Sequence, residues 1–127
     1  MNTDDKELTK AEVMVMQTIW AADEEMMMGE ILKRVNQKQP KTWKPQMLTS
    51  YLQRLVKKGF LLMKRQGRSY VYEVLIPEDD FRQTEMARFA DTWGHQSPAG
   101  FVAAFNRDHL LTKEQKDELR NLINGFD

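Results

Sequence analysis

Residues 41–74, KTWKPQMLTSYLQRLVKKGFLLMKRQGRSYVYEV, restrict the fold more than any other part of the chain. Pro45 suits the first position of a helix, where a missing N–H costs nothing. Met47 or Leu48, Tyr51 or Leu52, Leu55 and Val56 then recur at helical spacing as an apolar stripe, with Gln46, Thr49, Ser50, Gln53 and Arg54 on the polar side. Lys57 and Lys58 fall in the last turn, where cations favour the helix dipole, and Gly59 closes the helix. Two β-rich runs follow at once, Phe60 to Arg65 and Ser69 to Leu75, joined around Gln66-Gly67. A glycine in so short a connection permits the positive φ of a tight hairpin. A polar-faced helix running straight into a hairpin with Lys64, Arg65 and Arg68 at its tip predicts a winged helix-turn-helix.

Charge is distributed to match. Residues 31–72 contain eleven Lys and Arg and no Asp or Glu, although the whole chain holds 19 basic and 19 acidic residues. The formal net charge of zero therefore conceals a dipolar chain whose basic middle attracts a polyanion and whose remainder repels one. A charge run by itself is most often a solvated helix face, and the helix alone fits that reading as well as it fits groove reading. The helix-hairpin pattern inside the run shifts the balance toward nucleic acid.

Upstream, Thr9 and Glu12 have capping-box spacing, and Leu8 and Val13 that of a hydrophobic staple. A helix is expected after Thr9, burying Val13, Met16, Ile19 and Trp20, after a frayed segment from Met1 to Glu7. Ile31, Leu32 and Val35 mark a second helix. The run Met26-Met27-Met28 before it is expected to pair as a short strand or pack inward, because consecutive positions do not converge on a metal.

Downstream, Pro77 ends the hairpin, and Asp79 and Asp80 open a helix with Phe81, Met86, Phe89, Ala90 and Trp93 on its apolar side, stopped by Gly94. Ser97-Pro98 opens a helix with Phe101, Val102 and Phe105 inward, and Thr112 to Gln115 is a second capping box before Leu119, Leu122 and Ile123. Three short helices hold more apolar surface than they can bury alone; a second copy of the chain would cover it, and folding back on the N-terminal domain is the alternative. The expected organisation is a DNA-binding domain over 1–76 and a helical dimerisation domain over 77–127, mainly α with one small antiparallel hairpin.

Composition narrows the function classes. With no cysteine there is no disulfide framework and no thiolate metal site, which fits a reducing cytoplasm. The polar start is unlike a signal peptide, and no apolar run approaches the roughly 20 residues that span a bilayer. His95 and His109 lack matching ligands, and the carboxylate pairs Asp79-Asp80 and Asp117-Glu118 read as helix-terminal or surface charge. No catalytic site, metal or cofactor is expected. The DNA-binding candidates are Lys41, Thr42, Trp43, Lys44, Gln46, Met47, Thr49, Ser50, Arg54, Lys57, Lys64, Arg65 and Arg68, with Lys58 also among the phosphate-gripping cations. A winged helix that docks an acidic protein partner, or one that binds DNA without sequence preference, would share this charge pattern.

Three segments, LTKAEVMVMQTIW, KTWKPQMLTSYLQRLVKKGFL and QGRSYVYEV, resemble the penicillinase repressors, the BlaI/MecI family with its copper-responsive relatives. The likeness is detailed from Leu8 to about Ile76 and looser beyond. It implies a cytoplasmic homodimeric repressor whose N-terminal winged helix binds palindromic operator DNA. Its C-terminal helices would dimerise through Phe81, Met86, Phe89, Trp93, Phe101, Val102, Phe105, Leu119, Leu122 and Ile123. Arg54, Leu55, Lys57, Lys58, Gly59, Gly67-Arg68 and Tyr70-x-Tyr72 match the family pattern, whereas Lys44, Met47 and Ser50 depart from it. Derepression in the family follows cleavage by a membrane sensor protease at an Asn-Phe bond, which aligns here with Ala104-Phe105. The copper branch senses through a C-terminal cysteine hook that this chain lacks.

Overall fold

The computed structural model describes residues 7–93, 97–107 and 110–126. The expectations for residues 1–6, Gly94, His95 and His109 lie outside them. The chain forms two compact units, Met1–Thr84 and Glu85–Asp127.

In the first unit, α1 (Lys10–Ala22) starts on the predicted capping box. The Glu12 amide donates to Thr9 Oγ1 at 3.2 Å, and the Thr9 amide donates to Glu12 Oε1 at 2.8 Å. The helix buries Val15, Met16, Thr18 and Ile19, and also Glu12, which its capping role would leave at the surface. Val13 and Trp20, expected inside, are only half-buried. Strand β1 (Met26–Met27) leads directly into α2 (Met28–Lys38), which buries Ile31 and Val35.

Helix α3 (Pro45–Lys57) begins on the expected proline and buries Leu48, Leu52 and Leu55. It is closed by Gly59 at φ 85°, with the Phe60 amide donating to the Leu55 carbonyl at 2.9 Å. The next strand thus leaves the helix with no linker, which fixes the wing against α3. Strands β2 (Leu61–Gln66) and β3 (Ser69–Val74) pair antiparallel in register Gln66↔Ser69 through Leu61↔Val74. Gly67 (φ 66°) and Arg68 form the two-residue turn, with positive φ at the first position as a II′ turn requires. Strand β3 is central in the order β1-β3-β2, so the methionine run supplies the third strand through Met26↔Tyr72 and Met27↔Val71. Val71 and Tyr72, on opposite faces of that central strand, are both buried.

One core joins these elements, with Val15, Met16 and Ile19 of α1, Ile31 and Val35 of α2, Leu48, Leu52 and Leu55 of α3, and Phe60 and Leu61 entering the wing. Each such side chain contributes about 1.5–3 kcal/mol by leaving water. The Trp20 indole N–H donates to the Ile76 carbonyl at 3.0 Å and ties the exit of the wing to α1. Helix α4 (Glu78–Thr92) begins in this unit. Phe81 sits with its ring 5.6 Å from those of both Trp20 and Phe60. Three helices, a small three-stranded sheet and the tight turn between β2 and β3 make a winged helix-turn-helix.

The second unit holds the rest of α4 with α5 (Pro98–Arg107) and α6 (Lys113–Asn124). Helix α6 opens on the expected box, with the Gln115 amide donating to Thr112 Oγ1 at 3.1 Å. Phe89 packs on Phe101 at 4.9 Å, yet none of the described residues of α5 or α6 is buried.

Candidate nucleic-acid interface

The polar face of α3 starts from an anchored N-terminus. Asn36, near the end of α2, accepts from the Trp43 amide through Oδ1 at 2.7 Å and donates from Nδ2 to the Trp43 carbonyl at 3.3 Å. The Trp43 indole is consequently buried, at 8 % exposure, and its ring lies 5.1 Å from Tyr51. Trp43, grouped by the sequence with the DNA-contacting residues, is therefore a strut beneath them, because its large apolar surface is worth more in the core than at a wet face. Tyr51 carries the order outward, since the Arg54 guanidinium sits 5.5 Å from its ring centroid. A cation over an aromatic face is held by about 0.5–1 kcal/mol where exposed. The sequence pattern flagged Trp43 and Arg54 but neither Asn36 nor Tyr51, whose positioning roles show only in three dimensions.

The remaining α3 candidates are open to solvent. Lys41, Thr42 and Lys44 lead into the helix exposed, and Gln46, Met47, Ser50, Arg54 and Lys57 lie exposed along it, with Thr49 half-buried. The Thr49 hydroxyl donates to the Pro45 carbonyl at 2.9 Å, and the Ser50 hydroxyl to the Gln46 carbonyl at 3.1 Å. The hydroxyl protons are thus spent inside the helix, and the oxygens remain as acceptors.

The cations divide into two groups. Arg65 and Arg68 are exposed beside the turn of the wing, and Arg65 Nε donates to the Gly67 carbonyl at 3.0 Å. Lys64 is engaged by protein instead. Its ammonium lies 2.8 Å from Glu25 and 3.8 Å from Glu73, and the hydrogen bond it donates to Glu25 raises its pKa. Lys58, expected to grip phosphate, turns away from the polar face. It donates to Glu12 Oε1 at 2.7 Å and to the Glu7 carbonyl at 2.8 Å. Burial pushes the Glu12 carboxyl up, but Lys58 and the Thr9 amide outweigh it and hold its pKa below the usual carboxylate value. A buried carboxylate attracts a cation more strongly than solvent does, and no sequence pattern marks Glu12 as buried.

The C-terminal candidates fall into two sets. Phe81 is taken into the core of the first unit by Trp20 and Phe60. In the second unit Met86, Phe89, Trp93, Val102, Phe105, Leu122 and Ile123 are exposed at 41–62 %. Phe101 and Leu119 are half-buried. A groove of about 740 Å³ between α5 and α6 is lined by Pro98, Val102, Leu111, Leu119, Leu122 and Phe126, among others. Ala104 and Phe105 lie exposed within α5. No described helix is long and apolar enough to cross a membrane.

Known proteins match this sequence along nearly the whole chain. The family profile described as penicillinase repressor matches residues 8–125. The chain is 27 % identical over 117 residues to the penicillinase repressor of Bacillus licheniformis, spanning 92 % of this chain and 89 % of that one. It is 26 % identical over 118 residues to the methicillin resistance regulatory protein MecI of Staphylococcus aureus strain N315, spanning 93 % and 94 %. The solution structure of the DNA-binding domain of the repressor BlaI superposes with a TM-score of 0.51 and 33 % identity, covering 59 % of this chain and 88 % of that domain. With the profile matched over residues 8–125 and a winged helix-turn-helix in place, the chain belongs to the penicillinase-repressor family, whose members are transcriptional repressors and not enzymes.

Proposed function

We propose that this protein is a cytoplasmic, homodimeric repressor that binds a palindromic operator in double-stranded DNA, with residues 1–76 as the reading domain and 77–127 as the dimerisation domain. The observation that carries the reading is the exposed polar strip of α3, Gln46 to Lys57, flanked in sequence by a wing whose turn bears Arg65 and Arg68. A helix of this kind enters the major groove with its N-terminal residues at the base edges. Lys41, Thr42, Lys44, Gln46, Met47, Thr49 and Ser50 fall at that end. Arg54, Lys57, Arg65 and Arg68 are the phosphate contacts, with Lys64 available on exchange from its carboxylate partners. The exposed apolar face of α5 and α6 supports association with a second copy, since a patch that includes Phe105, Leu122 and Ile123 is costly to leave in water. Two copies present two reading helices, and twofold symmetry then asks for two inverted half-sites. Release through a membrane sensor protease, as in the family, would fall at Ala104-Phe105, where this chain departs from the family's Asn-Phe bond.

The test is a gel shift with duplexes enriched from a random library, combined with sedimentation of the free and bound protein. A retained complex of two chains on an inverted repeat is expected. Equal retention of random duplex would reduce the protein to a non-specific binder, and no retention at moderate salt would favour an acidic protein partner.

A further inference from the structure

The outward strip of α3 is poorer in hydrogen-bond donors than its sequence suggests. The protons of Thr49 and Ser50 are committed to the Pro45 and Gln46 carbonyls, so both oxygens can only accept. Between Gln46 and these residues stands Met47, 42 % exposed although the core already takes Met16 and Met26. At helical spacing Met47, Ser50 and Arg54 (i, i+3, i+7) share one strip, on the side away from the buried Leu48, Leu52 and Leu55. Arg54 is steadied by Tyr51 at the C-terminal end of that strip. A flexible thioether in that position cannot donate a hydrogen bond, and it makes a good apolar contact. In the major groove the C5-methyl of thymine is the apolar group that distinguishes one base pair from the others. The acceptor-only hydroxyl of Ser50 beside it selects an amino group, which adenine N6 or cytosine N4 supplies.

We propose that Met47 reads a thymine methyl group, and that Ser50 accepts from an adjacent adenine or cytosine amino group, so that each half-site carries thymine at the step Met47 covers. The inference rests on the DNA-binding reading above and adds the base class that this face selects. Arg54 and the wing then supply affinity, and Met47 supplies part of the choice.

The test starts from the duplex that the full-length protein enriches from a random library. Each thymine is replaced in turn, symmetrically in both half-sites, by deoxyuridine, which lacks only the methyl group. Kd is measured by fluorescence anisotropy for the wild type and for Met47→Ala. Loss of one buried methyl contact should weaken the wild type about fourfold per half-site at one position. Met47→Ala should bind the thymine and uracil duplexes equally, with the same salt dependence as the wild type. Because Met47 is exposed and alanine favours helix, the variant should keep its thermal transition, and Met47→Leu should retain the methyl preference. A uracil penalty of the same size in Met47→Ala, or no sensitive position in the wild type, overturns the proposal. Failure of the library to enrich any sequence would instead remove the reading on which it rests, and the proposal with it.

Discussion

Lys58 Nζ lies 2.7 Å from Glu12 Oε1 and joins the end of α3 to the first turn of α1 across 46 residues of chain. Glu12 is fully buried, and its second carboxylate oxygen, Oε2, has no hydrogen-bond partner among the described residues. The pair thus fixes the angle of the reading helix at some cost in desolvation.

Removing one partner should cost more than removing both. Lys58→Met leaves a buried carboxylate with no cation, and about 3 kcal/mol of stability should be lost. Adding Glu12→Gln to that variant should restore most of it, measured by urea unfolding. A loss in the double variant equal to the sum of the two single losses would show that the two residues are not coupled.

The same pair sets an acid limit. The folded pKa of Glu12 lies below its ordinary value. Its contribution is therefore complete at neutral pH and declines as pH falls below the usual carboxylate range through the depressed folded value. Unfolding free energy measured from pH 7 down to pH 3 should fall for the wild type and fall less for Glu12→Gln. A wild-type profile that stays flat over this range would contradict the assignment.

Asn36 holds both backbone groups of Trp43. Asn36→Ala should cost about 1–3 kcal/mol by leaving the buried ends of that connection unpaired. DNA affinity should drop as well, because the start of α3 loses its register. Unchanged amide protection at Trp43 in hydrogen exchange would argue against this role.

Lys64 shares its charge with Glu25 and Glu73. Glu25→Gln should release it toward phosphate and tighten DNA binding about two- to fivefold at low salt, with the gain fading as screening rises. Weaker binding by this variant would place Lys64 off the DNA.

Phe105, 52 % exposed on α5, belongs to the face assigned to the partner copy. Phe105→Asp should raise the dimer dissociation constant by about a hundredfold, which sedimentation at micromolar concentration would show as monomer. A dimer that survives this change, and survives Leu122→Asp as well, would move the interface elsewhere.

Local chemistry made much of the fold legible. Thr9 with Glu12, Pro45, Gly59 and Thr112 with Gln115 mark ends that backbone physics dictates residue by residue, and the structure places helix ends at each. The two-residue strand Met26–Met27 has no period to read, and only its pairing to Tyr72 and Val71 defines it. The partly legible site failed where charge or aromatic character was taken to mean exposure. Glu12, Lys58 and Lys64 each found a partner distant in sequence, Trp43 was drawn inward by Asn36, and Phe81, expected against a partner copy, packs on Trp20 and Phe60.

The central claim is that the α3 face and the wing hold DNA through cations that, among the described residues, have no carboxylate partner. Affinity for a labelled operator duplex, followed by anisotropy from 50 to 200 mM salt, tests it most directly. With Arg54, Lys57, Arg65 and Arg68 on phosphates, the log–log slope should be about −3.5 per bound protomer, and Arg54→Ala should reduce it by about one unit. A slope near zero, unchanged by Arg54→Ala, would contradict the account.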